Sequence, residues 1–110
     1  MNASGGNPWR ALLLVAALAA AGAHAEGKEH TIVIEAMRYS PAVLEVSPGD
    51  TVVWKNKDPF PHTATAKGGG GFDSGNIAPD ASWKFTAKER GEFPYVCTLH
   101  PTMKAVLTVK

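Results

Sequence analysis

Thiols are almost absent from this chain: Cys97 is the only cysteine among 110 residues. An internal disulfide is therefore excluded, and the leftover thiol must stay free, pair between chains or bind a metal. An excess of charge of either sign is lacking too, with 11 Lys and Arg against 10 Asp and Glu. That balance gives no footing for nucleic acid or an anionic membrane surface. No apolar run reaches the ~20 residues of a membrane span, since the longest extends only from Ala11 to Ala21. Beyond that run no segment keeps a helical apolar period. The one glycine-rich stretch, Lys67-Gly68-Gly69-Gly70-Gly71, lacks the Lys-Ser/Thr end of a phosphate loop, and its composition predicts a flexible linker.

The N-terminal run reads as an export signal. Arg10 supplies the positive charge, Ala11 to Ala21 the apolar region, and Ala23-His24-Ala25 the A-x-A cleavage site. The expectation is a cleavable signal peptide over residues 1–25, a single domain over residues 26–110 and a periplasmic location. Removing Arg10 leaves 10 basic residues against 10 acidic ones, so the exported domain is formally neutral. In an oxidising compartment an exposed free thiol is a liability, which makes Cys97 informative.

The remaining chain alternates short β-rich runs with turn residues. Ile32 to Ile34, Val43 to Val46, Thr51 to Asn56, Ser82 to Thr86, Phe93 to Cys97 and Lys104 to Lys110 carry the strand signal. Ser47-Pro48-Gly49-Asp50 has the residues of a tight turn. Val52, Trp54 and Asn56 share one strand face, an odd place for an amide unless it has hydrogen-bond work to do. Pro94 donates nothing to a ladder, so its strand should begin at an edge or bulge. His30 lies at a strand start and is expected to be solvated. The pattern predicts an all-β domain, a sandwich or a barrel.

Tyr95-Val96-Cys97-Thr98-Leu99-His100-Pro101-Thr102-Met103 concentrates the chemistry, with a thiol, an imidazole and a thioether on one short loop. Soft sulfur with imidazole selects copper, and a type-1 site needs one more histidine and a weak axial sulfur. His62, delivered by the Lys57–Pro61 loop, is the candidate. The predicted ligands are His62, Cys97, His100 and Met103, holding one copper per chain. Thioether is a poor ligand for zinc.

Cys97-x-x-His100-x-x-Met103, with His62 placed after Trp54-x-Asn56, resembles the cupredoxin family. The short gap between His100 and Met103 is similar to its amicyanin branch rather than to plastocyanin or pseudoazurin. Pro41, Gly49-Asp50-Thr51-Val52 and Gly91-x-Phe93-x-Tyr95-x-Cys97 extend the likeness over roughly Tyr39 to Lys110. The resemblance implies an eight-stranded Greek-key β-sandwich with copper at one end. It implies that Asn56 pins the histidine loop to the cysteine loop, and that electrons pass through His100 among Pro61, Leu99 and Pro101. Leu99 departs from the proline common in the family and adds one N–H donor to the loop.

The expected function is a soluble single-electron carrier between exported redox proteins, cycling Cu(I)/Cu(II), monomeric, docking around His100, and not an enzyme. The alternative is a copper-holding chaperone or scavenger using the same site. A thiol enzyme with Cys97 as nucleophile and His100 as base would leave His62 and Met103 unexplained.

Overall fold

The structure, a computed structural model, describes residues 27–110. The predicted signal peptide lies outside the described residues. Nine strands follow in order: β1 (Glu29–Glu35), β2 (Arg38–Ser40), β3 (Val43–Val46), β4 (Thr51–Asn56), β5 (Thr65–Ala66), β6 (Phe72–Asp73), β7 (Ser82–Thr86), β8 (Gly91–Cys97) and β9 (His100–Val109). No helix occurs among the described residues. One sheet runs β2-β1-β4-β7 and the other β3-β9-β8-β5-β6, so the pattern resolves to a sandwich.

Both sheets are mixed. β1 pairs with β4 in parallel and β3 with β9 in parallel, while the other pairings are antiparallel. The alternation read from sequence sets which side chains meet between the sheets. Val52, Trp54 and Asn56 are fully buried, as are Ile32, Ile34, Cys97 and Leu107. Trp54 is the hub: its ring centroid lies 5.3 Å from Phe72, 5.5 Å from Trp83 and 5.6 Å from Tyr95. Burying aromatic rings against one another supplies much of a small domain's stability.

Pro94 sits where expected. At its level β8 is paired only with β9, because β5 reaches β8 at Val96 alone.

Three expectations change. The strand count is nine rather than eight, because the glycine stretch is a hairpin turn between two-residue strands and not a linker. The Gly71 N–H donates to the Gly68 carbonyl at 3.1 Å, and Gly68 and Gly70 hold positive φ of 110° and 75°. A Cβ at Gly71 would lie 2.1 Å from the Ala66 carbonyl oxygen, so the tight return of the chain requires glycine there. His30 is not simply solvated either, since its Nε2 lies 2.9 Å from Asp50 Oδ2.

Candidate metal centre

Three of the predicted ligands, Cys97, His100 and Met103, lie on the β8–β9 hairpin and the fourth, His62, on a crossing between the sheets. Cys97 ends β8 and His100 starts β9; they pair with each other across a bulge at Val96/Cys97 that closes the turn. His62 lies where the chain leaves β4 in one sheet and enters β5 in the other. There its backbone exchanges two hydrogen bonds with Ile77, the His62 N–H donating at 3.2 Å and its carbonyl accepting at 2.7 Å. Loop positions can be fixed this tightly where a hydrogen-bonded sandwich serves as their scaffold.

The side chains converge. Cys97 Sγ lies 3.7 Å from His62 Nδ1 and 3.7 Å from His100 Nδ1. All three donor atoms fall within 4.8 Å of one another. Three donors bound at about 2.1 Å around one ion in a plane stand about 3.6 Å apart, so spacing and donor type both fit a soft-metal site. His62 and Cys97 are fully buried, and His100 is half-buried. Met103 is buried in the hydrophobic core, on β9 three residues after His100.

The surroundings orient these groups. Asp58 Oδ2 lies 2.7 Å from His62 Nε2, which leaves Nδ1 as the nitrogen presented to the sulfur. Burial raises the Asp58 carboxyl pKa, but the Met37 amide, His62 and the Ala36 amide together outweigh it and hold it below the usual range. The Thr63 N–H donates to Cys97 Sγ at 3.3 Å. The Thr63 carbonyl accepts the Tyr39 hydroxyl. Burial, foremost, pushes the Tyr39 phenol well above its ordinary pKa.

Asn56 performs part of the role expected of it. Its Nδ2 donates to the Phe60 and Ile77 carbonyls, each at 2.9 Å, and its Oδ1 accepts the Asp58 N–H at 2.9 Å. It thus shapes the loop that carries His62. The link across to the cysteine loop comes instead from Thr63, whose Oγ1 accepts the Thr98 N–H at 2.9 Å. The N–H that reaches the sulfur is likewise that of Thr63 rather than Leu99. Asp58 and Thr63 were not singled out from the sequence. An acidic residue four before a histidine was the only visible signal, and it is a common one.

Around His100 the surface is apolar. Phe60 is 42% exposed and Leu99 46%, Pro61 and Pro101 are exposed, and the Phe60 ring centroid lies 6.0 Å from that of His100.

A family model described as Cupredoxin-like domain matches residues 9–109. The chain is similar to the amicyanin of Paracoccus denitrificans, 31% identical over 94 residues that cover 80% of this chain and 72% of that protein. It is also 31% identical to the amicyanin of Paracoccus versutus over 81 residues, 70% of this chain but only 61% of that protein's length. Among solved structures, a copper(I) form of an amicyanin variant superposes with a TM-score of 0.71 at 27% identity, covering 74% of this chain and 82% of that one.

Proposed function

The chain belongs to the cupredoxin-like family, and from that premise we propose that it is a type-1 copper protein that carries single electrons. The observation that carries this reading is the buried triangle of His62 Nδ1, Cys97 Sγ and His100 Nδ1. The residues that would hold it are His62, Cys97 and His100, with Met103 as a fourth, weaker ligand, one copper per chain. Bound copper supplies one-electron exchange between Cu(I) and Cu(II).

The protein's own part is to hold the donors still. A site whose donors barely move suits both oxidation states and keeps the reorganisation on electron transfer small. Asp58 fixes the His62 ring from behind, Asn56 holds the loop between them, and the Thr63 amide leans on the sulfur. The Thr63 hydrogen bond draws charge from the thiolate, which favours the reduced state. Full burial of Cys97 keeps its sulfur from oxidants and from any substrate, which argues against a nucleophilic role. His100 reaches the surface amid Phe60, Leu99, Pro61 and Pro101. That apolar patch is where we place the docking of electron donor and acceptor proteins. Export to the periplasm after removal of residues 1–25, and a monomeric state, complete the proposal.

The test is addition of Cu(II) to the purified chain. An intense visible thiolate-to-copper band with narrow copper hyperfine splitting is expected; a colourless tetragonal copper spectrum overturns the reading. Electron self-exchange then separates carrier from copper-holding protein, because a holder has no need of a fast rate.

A further inference from the structure

Beside the ligand triangle runs a row of hydroxyls that the ligands do not use. Thr63 Oγ1 lies 3.1 Å from Thr65 Oγ1 and 3.2 Å from Thr98 Oγ1. Thr65 Oγ1 donates to Asp73 Oδ1 at 3.0 Å, and the same oxygen accepts the Gly75 N–H at 3.0 Å. Thr63 and Thr65 are buried, and the row ends on Asp73 at the surface. The Gly75 amide, and next the Thr65 hydroxyl, hold the Asp73 carboxyl below its usual range, so at neutral pH it only accepts.

Counting protons gives the row a direction. A hydroxyl has one proton and an ionised carboxylate none. Thr65 donates to Asp73, so between Thr65 and Thr63 the donor is Thr63. Thr63 Oγ1 is then left to accept, which it does from the Thr98 N–H and the Thr98 hydroxyl. Every member points the same way, from the cysteine loop out to Asp73. Thr63 is also the residue whose backbone N–H reaches Cys97 Sγ.

We propose that Asp73 is a positioning residue for the Cys97 thiolate: through Thr65 it orients the Thr63 side chain, and so fixes the N–H···S bond and the cysteine loop together. This rests on the copper reading above. It deepens that reading by naming a carboxylate remote from the metal that tunes the sulfur's electron density.

The experiment compares Thr65→Val, Thr65→Ser, Asp73→Ala and Asp73→Asn with the parent in the full chain. Two readouts are taken with copper: the charge-transfer band and the Cu(I)/Cu(II) ratio against a reference couple. A third, amide hydrogen exchange at Thr63 and Thr98, is taken without metal. Thr65→Val and Asp73→Ala should move the band to longer wavelength and lower the Cu(I)/Cu(II) ratio roughly two- to tenfold, the range of one hydrogen bond. They should speed both amides' exchange by a similar factor. Thr65→Ser keeps the hydroxyl and Asp73→Asn keeps the accepting oxygen, so both should track the parent.

If Asp73→Asn shifts as far as Asp73→Ala, charge rather than orientation is at work and the proposal fails. It fails equally if Thr65→Val leaves all three readouts unchanged. Should Asp73→Ala not fold, the near-isosteric Thr65→Val decides alone. If the parent itself gives no intense band, the copper reading falls, and amide exchange in the metal-free chain still decides whether the row orients Thr63.

Discussion

Asp58 Oδ2 stands 2.7 Å from His62 Nε2, on the side of the ring away from the Cys97 sulfur. The same carboxyl group accepts the Ala36 N–H at 2.7 Å and the Met37 N–H at 3.0 Å. Ala36 and Met37 hold positive φ of 55° and 61° in the turn between β1 and β2. One buried acid therefore ties a strained turn to the His62 ring.

Replacing Asp58 with Ala should weaken both. Copper affinity is expected to fall about 10–100-fold, as when other hydrogen-bond partners of ligating histidines are lost, measured by chelator competition. The metal-free protein should lose about 1–3 kcal/mol, the penalty for unpaired buried donors, measured by urea unfolding. An affinity loss without a stability loss would show that the turn does not depend on this carboxylate.

The apolar rim should govern encounter rather than potential. Leu99→Glu places a charge beside the half-buried His100 and removes apolar surface that two molecules would share. Self-exchange should slow roughly 10–100-fold, the value of burying one such side chain, with the visible band unmoved. Line broadening in mixed oxidation states reads the rate; an unchanged rate moves the docking site elsewhere.

Acid stability should depend on Asp50, at the end of the sandwich away from the ligands. It accepts the Lys28 N–H at 2.9 Å, the Ser47 N–H at 3.0 Å and His30 Nε2 at 2.9 Å. The Lys28 and Ser47 amides, then His30, draw its carboxyl pKa down to about 2. An unfolded aspartate titrates at ~3.9, so between these values the unfolded chain binds more protons. Stability from Asp50 is thus complete above that window and vanishes as pH falls through about 2. Asp50→Asn should flatten the rise of unfolding free energy with pH across this interval; an unaltered slope would remove Asp50 from the account.

The core hub should be the least tolerant position. Trp54→Ala deletes a fully buried ring that three other aromatic rings surround. A loss of about 3–5 kcal/mol is expected, read by thermal unfolding of the metal-free chain. A loss under about 1 kcal/mol would mean the ring's neighbours collapse into the space.

Legibility followed distance along the chain. Cys97, His100 and Met103 stood out because rare side chains recur at short spacing, a signal that needs no folding to be seen. Val52, Trp54 and Asn56 showed their shared face because strand geometry is local. His62 was reachable only by asking what the others lacked. Asp58 and Thr63 were not legible, since each matters through a partner that only tertiary packing brings near. His30 and Asp50 meet across the β1–β4 pairing for the same reason. The glycine stretch misled because composition tells that a segment can bend, not that Gly68 and Gly71 close a turn.

The pairing of β3 with β9 brings Val43 beside Val106, more than half the chain apart. Such contacts form only after long loops have closed, which makes folding comparatively slow. For that interval the lone sulfur is uncovered, open to peroxide and to the same atom on a sister molecule. Crowded refolding in air should therefore lose material as covalent pairs, and dilution or a brief reductant pulse should recover it. The vulnerability of this sulfur is then a matter of timing, confined to the interval before the two sheets close over it.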